Sequence, residues 1–465
     1  MRRYRYSDKI LVLSFVSLFI GGNIFLINFI DIALLKYVYV CNIVFAFLLY
    51  LLVFGKKWHP VLIFMGTLTL FQGGLIISSI FDTSIDISFV FLMEANLYLQ
   101  EDSLRTAMLI INLSYWFVLL GGLWGSISDN YKLKDYYNNN GFLKKLFLAI
   151  FLIALPFYIY KIFIYFFYFL QGGYMAFYQS TEYLEKAGFI TRAISYFAYI
   201  GLLGYFLQEQ NRKYIFTVLF IWLFMTLPVL LSGFRGQFFT FWLTIFLFYK
   251  KRFDKRLKLR EIFIVFIIVS VLSLIVSYYR EAGTLGFLLP KNPVLEFLKQ
   301  QGVSFFVTAM AVEFSDEFSG KILKYLLWEP LGAIYSQYSS LPDRAFATDL
   351  MIKINYQGYL MGYGVGSSYL AEAYLLSGIL GTCIVSFFIG FILSKLWNMF
   401  DSVNIYGKIL VFVAVQGIIY LPRDLLLMPL SYVIKAGVYV LALYIMIEFI
   451  KGSPNLKLIE KGKVS

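Results

Sequence analysis

Apolar runs of about 20 residues, separated by short polar stretches, recur along most of the chain. As a helix, a run of that length covers the roughly 30 Å hydrocarbon core of a bilayer. Only helices and closed barrels satisfy their backbone polar groups at that depth. The runs predict spans near 10–30, 34–54, 60–81, 104–126, 146–170, 188–208, 214–232, 236–250, 262–279, 369–394, 405–421 and 430–449. The fold class expected is therefore all-α: a single polytopic transmembrane domain over 1–465 with about twelve helices. Composition agrees, since 60% of residues are hydrophobic and only 14% charged. A soluble domain carries about 25% charged residues to solvate its surface.

A formal net charge of +13 invites a nucleic-acid reading, but the basic residues cluster between apolar runs. Lys250, Lys251, Arg252, Lys255, Arg256, Lys258 and Arg260 form the densest cluster. That placement follows the positive-inside rule and argues for membrane lipid, with no nucleic acid as partner. It puts both termini in the cytoplasm. The first run follows Arg2, Arg3, Arg5 and Lys9, and reads as an uncleaved signal anchor. Cys41 and Cys383 both fall in apolar runs, so no disulfide framework or CxxC metal site is expected.

One segment breaks the regular alternation. Residues 280–366, between the ninth and tenth spans, contain Pro290, Pro293, Pro330 and Pro342 but no full-length apolar run. The apolar stretch 303–312 is too short to cross, which predicts an interfacial or re-entrant helix within a large outer loop. Long loops in compact proteins are usually functional. No internal repeat relates the first six spans to the last six.

The chemistry available on the outer side is narrow. The chain has no GxxxxGK[ST], HExxH, GxSxG or DxD motif, and its one histidine, His59, falls in a predicted cytoplasmic turn. Carboxylates, arginines, hydroxyls and aromatic rings must do the work, with no cofactor and no metal expected. Arg235 lies in Ser232-Gly233-Phe234-Arg235-Gly236, and Gln237 to Tyr249 gives only about 20 Å of helix. The helix is therefore expected to begin before Arg235 and carry its guanidinium below the outer surface. Arg423 sits in the proline-bracketed break Pro422-Arg423-Asp424-Leu425-Leu426-Leu427-Met428-Pro429, and Arg280 closes the ninth run.

A charge at membrane depth normally faces a cavity or a partner, and a guanidinium grips phosphate through two parallel hydrogen bonds. Each arginine fits equally well snorkelling to headgroups, or a local pair such as Arg423 with Asp424. Arg344, within Pro342-Asp343-Arg344, is a loop candidate, and Lys161 lies inside the fifth run as either a carboxylate's partner or a ligand contact. Among outer carboxylates that include Glu281, Glu313, Glu329 and Asp349, Glu372 stands out by entering an apolar span. It reads either as a general base or as a structural carboxylate at a helix start.

Gly364-Val365-Gly366-Ser367-Ser368 followed by Glu372, Gly378 and Gly381, the Ser-Gly-Phe-Arg-Gly turn and the Arg423 break together resemble the O-antigen polymerases (Wzy). The resemblance extends through the topology and the late outer loop over nearly the whole chain. It implies a fold like the membrane glycosyltransferases of the GT-C type, in the bacterial inner membrane with the active site facing the periplasm. It also implies polymerisation of undecaprenyl-pyrophosphate-linked oligosaccharide repeat units, and leaves room for a chain-length regulator protein as a partner. In that frame Arg235, Arg280 and Arg423 hold pyrophosphate, Glu372 is the catalytic base and Arg344 binds glycan. An O-antigen ligase would carry a catalytic histidine in the outer loop, where this chain has none. A flippase or polysaccharide transporter would show related halves and short loops on both sides. A non-catalytic scaffold binding lipid-linked glycan is the remaining class.

Overall fold

The computed structural model describes residues 19–22, 29–55, 57–92, 95–127, 141–172, 182–232, 235–253, 256, 258, 260–261, 264, 267–272, 274, 292–335 and 345–452. Among them, nine helices are long and apolar enough to cross a membrane. We label the main helices α1 (Ile32–Phe54), α2 (Pro60–Phe81), α3 (Glu101–Ile127), α4 (Gly141–Gly172), α5 (Phe189–Gln208), α6 (Arg212–Leu231) and α7 (Arg235–Phe253). The shorter α8 (Pro293–Gln301), α9 (Ser304–Glu313), α10 (Ile322–Tyr335) and α11 (Phe346–Ile354) follow. The chain then returns to long helices in α12 (Tyr369–Met399), α13 (Ile405–Tyr420) and α14 (Met428–Gly452). An antiparallel strand pair, β1 (Phe89–Leu92) with β2 (Ala95–Tyr98), lies between α2 and α3. The runs near 10–30 and 262–279 fall largely outside the described residues.

Alternation of the spans collects the chain's turns at two ends of the bundle. At one end the basic cluster is tied down. Lys250 pairs with Glu261 at 2.7 Å, Lys251 with Asp401 at 3.3 Å and Lys144 with Glu209 at 3.1 Å. Arg252 donates to the carbonyls of Phe206 and Glu209. His59 caps α2 there, with Nδ1 accepting from the Val61 amide. Burial first, and the nearby Lys251 charge second, push its imidazole down to about 3, which keeps it neutral.

α7 differs from expectation. Its described part begins at Arg235 and gains length at the other end, running through Lys250, Lys251 and Arg252 to Phe253. Nineteen residues give about 28 Å of helix, though its basic residues keep it outside the nine apolar spans. The three basic residues extend the helix instead of ending it because a C-terminal turn favours cations.

The opposite end is built from 292–335 and 345–369, the turns after α2 and α13, and the junction of α6 with α7. α9 is buried at all but two of its ten positions and packs against α3, α12 and the π-helical turn Thr69–Gly73 of α2. α8 closes on α2 through a glycine contact, since a Cβ on Gly302 would fall 2.0 Å from the Leu75 nitrogen.

α12 is really two helices. Ser377 and Gly378 leave helical geometry, and Gly378 adopts φ 58° and ψ −145°, a region open in practice only to glycine. The short first piece, starting at Tyr369, carries Glu372, and the long second piece packs along α3. Small residues set that packing: an added Cβ would lie 1.8 Å from the Phe387 carbonyl at Gly121, and 2.0 Å from the Val118 carbonyl at Gly390. Gly121→Ala is expected to destabilise the protein by an overpacking cost of about 1–3 kcal/mol. Gly437→Ala, where a Cβ meets nothing within 4 Å, is the matched control in a melting experiment on the purified protein.

Candidate functional site

The site grows out of an unavoidable defect in the backbone. α13 gives way to a single 3-10 turn, Leu421–Arg423, and Asp424 is extended, so the amides leading into α14 have no carbonyls of a preceding turn to bond. Carboxyl groups take them in sequence. The Leu425 amide donates to Asp424 Oδ1 at 2.9 Å, Leu426 to Glu372 Oε2 at 2.7 Å and Leu427 to Glu329 Oε2 at 2.7 Å. Three consecutive N–H groups thus meet acids from three different elements. Ser431 adds a bond to the Glu329 carbonyl, and Tyr432 donates to Asp424 at 3.4 Å.

Glu372 reaches this position from the glycine-rich turn before α12. Gly362 (φ 88°) and Gly366 (φ 74°) both take left-handed backbone. Ser368 caps the helix, and Ser367 donates to Glu372 Oε1 at 2.6 Å. Both Glu372 oxygens are therefore engaged, and the side chain is fully buried.

Gln72 fastens these pieces together. This fully buried amide sits in the π-helical turn of α2 and donates to Ser368 Oγ (2.9 Å) and to the Pro422 carbonyl (2.7 Å). It also accepts from Thr308 of α9 at 2.9 Å. Such π-bulges favour functional sites.

Arg423 stands beside this frame, half-buried. Its guanidinium lies 5.5 Å from the centre of the Phe71 ring, and Nη1 donates to Gln301 of α8 at 3.0 Å. The pair with Asp424 that the sequence suggested does not form, because Asp424 turns to Leu425 and Tyr432. The remaining guanidinium donors have no described partner. Arg235 begins α7 next to the same break, for a Cβ at Gly236 would fall 2.1 Å from the Tyr420 hydroxyl. The fold thus gathers Arg235, Arg423 and Glu372 at one end. Arg280 and Arg344 lie outside the described residues.

A model of the O-antigen polysaccharide polymerase Wzy family matches residues 9–453, nearly the full length. The chain belongs to this family. No curated protein and no solved structure matches it. Membership in the Wzy family makes it an O-antigen polymerase, an enzyme of lipid-linked oligosaccharide repeat units with many membrane-crossing helices.

Within this Wzy frame, Glu329 and Asp424 gain a role that spacing alone does not reveal. Glu329 is buried; its Oε1 is outside hydrogen-bond geometry of any described group and faces Glu372. Burial first, and the Glu372 charge second, hold its carboxyl well above the usual range, so it is protonated at neutral pH. Asp424 is pushed up to about 7, chiefly by burial, with Glu372 adding to the effect. Acids whose folded pKa is raised contribute stability that is complete below the ordinary carboxyl range. That contribution is lost as pH rises through the folded value. The melting temperature of the purified polymerase is therefore expected to fall as pH rises above about 4, with the Asp424 share lost by about pH 7 and the Glu329 share continuing into alkaline pH. Glu329→Gln should shrink the alkaline part of that fall.

Proposed function

We propose that the chain joins undecaprenyl-pyrophosphate-linked repeat units at the periplasmic face of the inner membrane, by glycosyl transfer without a metal ion. The arrangement that carries this reading is the break after α13. There the Arg423 guanidinium, whose remaining donors have no partner among the described residues, adjoins the buried Glu372 carboxyl held on the Leu426 amide. Arg235, Arg280 and Arg423 hold the donor's pyrophosphate. As the glycosidic C–O bond breaks, its departing charge passes to their N–H donors, which a good leaving group needs little else to release.

Glu372 takes the proton of the acceptor hydroxyl, whose oxygen attacks the donor's anomeric carbon. For this the acceptor hydroxyl displaces Ser367 from Glu372 Oε1, a movement the flanking Gly364 and Gly366 permit. The 280–366 segment shapes the glycan site on the periplasmic side, with Arg344 as a glycan contact. On this reading the helices number about twelve in a GT-C-like arrangement, both termini are cytoplasmic, and a chain-length regulator docks nearby. The tied-down basic cluster supports that orientation, since it gathers Lys250, Lys251 and Arg252 at the end away from the break.

Deleting the gene and resolving the surface polysaccharide on a gel tests the reaction. The expected result is loss of the ladder with a single repeat unit still on the lipid A core, restored by the wild-type gene. Loss of every glycan band would instead point to ligation or flipping, and an unchanged ladder would end the proposal.

A further inference from the structure

Among the described residues, three cations on the outer half of the bundle have no anion to answer them. Lys161 of α4, Arg192 of α5 and Lys435 of α14 lie close enough for each charge to act on the other two. Among the described residues none of the three makes an ion pair. The Arg192 Nε is buried without a hydrogen-bond acceptor. Lys161 stands 5.8 Å and 5.6 Å from the ring centres of Tyr158 and Tyr165, and Lys435 is 5.2 Å from that of Tyr196. These rings are fixed in turn: Tyr158 stacks on Trp222 at 4.4 Å and Tyr196 lies 4.5 Å from Tyr439.

The contrast with the other end of the bundle is informative. There Lys250, Lys251 and Arg252 are met by carboxylates and carbonyls. Like charges gathered at membrane depth repel one another and lose hydration, a cost that a bound anion removes. We propose that Lys161, Arg192 and Lys435 form a binding site for the phosphate of a membrane lipid.

The tail follows from the surface around the site. Ile159, Tyr160, Phe163 and Phe167 of α4 are all exposed beside Lys161, so the approach is from hydrocarbon rather than from water. The site also lies close to the reaction centre. Lys435 follows Tyr432, which donates to Asp424, by three residues, about one turn of α14. The inference goes beyond the reaction proposed above and does not depend on it, because the chemistry recognised is a phosphate on an apolar chain. Two sources supply that chemistry, a phospholipid headgroup and a polyprenyl phosphate carrier.

Native mass spectrometry of the detergent-purified full chain separates these cases. The probes are phosphatidylglycerol and undecaprenyl phosphate, each set against its phosphate-free counterpart, diacylglycerol or undecaprenol. Wild type is expected to retain a phosphate-bearing probe over its counterpart. The double variant Lys161→Met/Lys435→Met should bind it more weakly, by about fivefold for each charge removed. Lys161→Arg/Lys435→Arg should restore retention, which a merely misfolded site would not do. Tighter binding of one phosphate probe identifies the source. Equal retention of the phosphate-free lipids, or a Met variant that binds like wild type, would overturn the site.

Discussion

Arg423→Ala is expected to lower polymerisation of purified lipid-linked repeat units by about 100-fold or more, with the protein still folded. The size follows from removing one preorganised donor group facing a charge that develops only in the transition state. The fold should survive because the break is held by other bonds, from Gln72 to the Pro422 carbonyl and from the amides of 425–427 to three acids. Losing the Arg423 bond leaves Oε1 of the buried Gln301 without its donor, a cost of about 1–3 kcal/mol that those other bonds outweigh. Arg423→Lys should recover little, since an ammonium is a point charge and cannot reproduce the two-pronged grip on pyrophosphate. The assay is single-turnover transfer, with a melting curve for each variant. Full activity in Arg423→Ala would remove this residue from the pyrophosphate site. Equal loss of activity and of melting temperature would make it structural.

How far the sequence shows this site depends on which physical signal each residue leaves. Arg423, Arg235 and Glu372 are legible because a charge among apolar residues is costly and therefore conspicuous. The long helices are legible for the same reason, as α1, α2 and α13 match their apolar runs within a few residues. Gln72 leaves a weaker trace, a lone amide in an apolar span, and its significance needs the π-helical turn that aims it at Ser368 and Pro422. Glu329 looks like one loop carboxylate among several. Only tertiary packing carries it onto the Leu427 amide 98 positions away. The break at Ser377-Gly378 is hidden because hydropathy runs unbroken through it, and α7 ends late because hydropathy undervalues a basic last turn.

The pair Glu372 and Glu329 should separate cleanly under the same conservative change. Glu372→Gln is expected to fold but to lose about 10²- to 10⁴-fold in transfer, because a carboxamide accepts no proton. Glu329→Gln should keep activity within about threefold, since Glu329 is already neutral. Its amide oxygen still accepts from Leu427 and its NH₂ replaces the acid's proton towards Glu372. Glu329→Ala is the informative contrast. It leaves the buried Leu427 amide unpaired, costing about 1–3 kcal/mol, and strips Glu372 of its neutral neighbour. Glu372→Ala strands Ser367 and Leu426 together and is expected to reduce the amount of folded protein as well as its activity. If Glu329→Gln proved as inactive as Glu329→Ala, the acid's own proton would be required and its place as a neutral support would be wrong. If Glu372→Gln stayed active, Glu372 would be a clamp for the 424–427 segment, and the base would have to be sought elsewhere on the outer side.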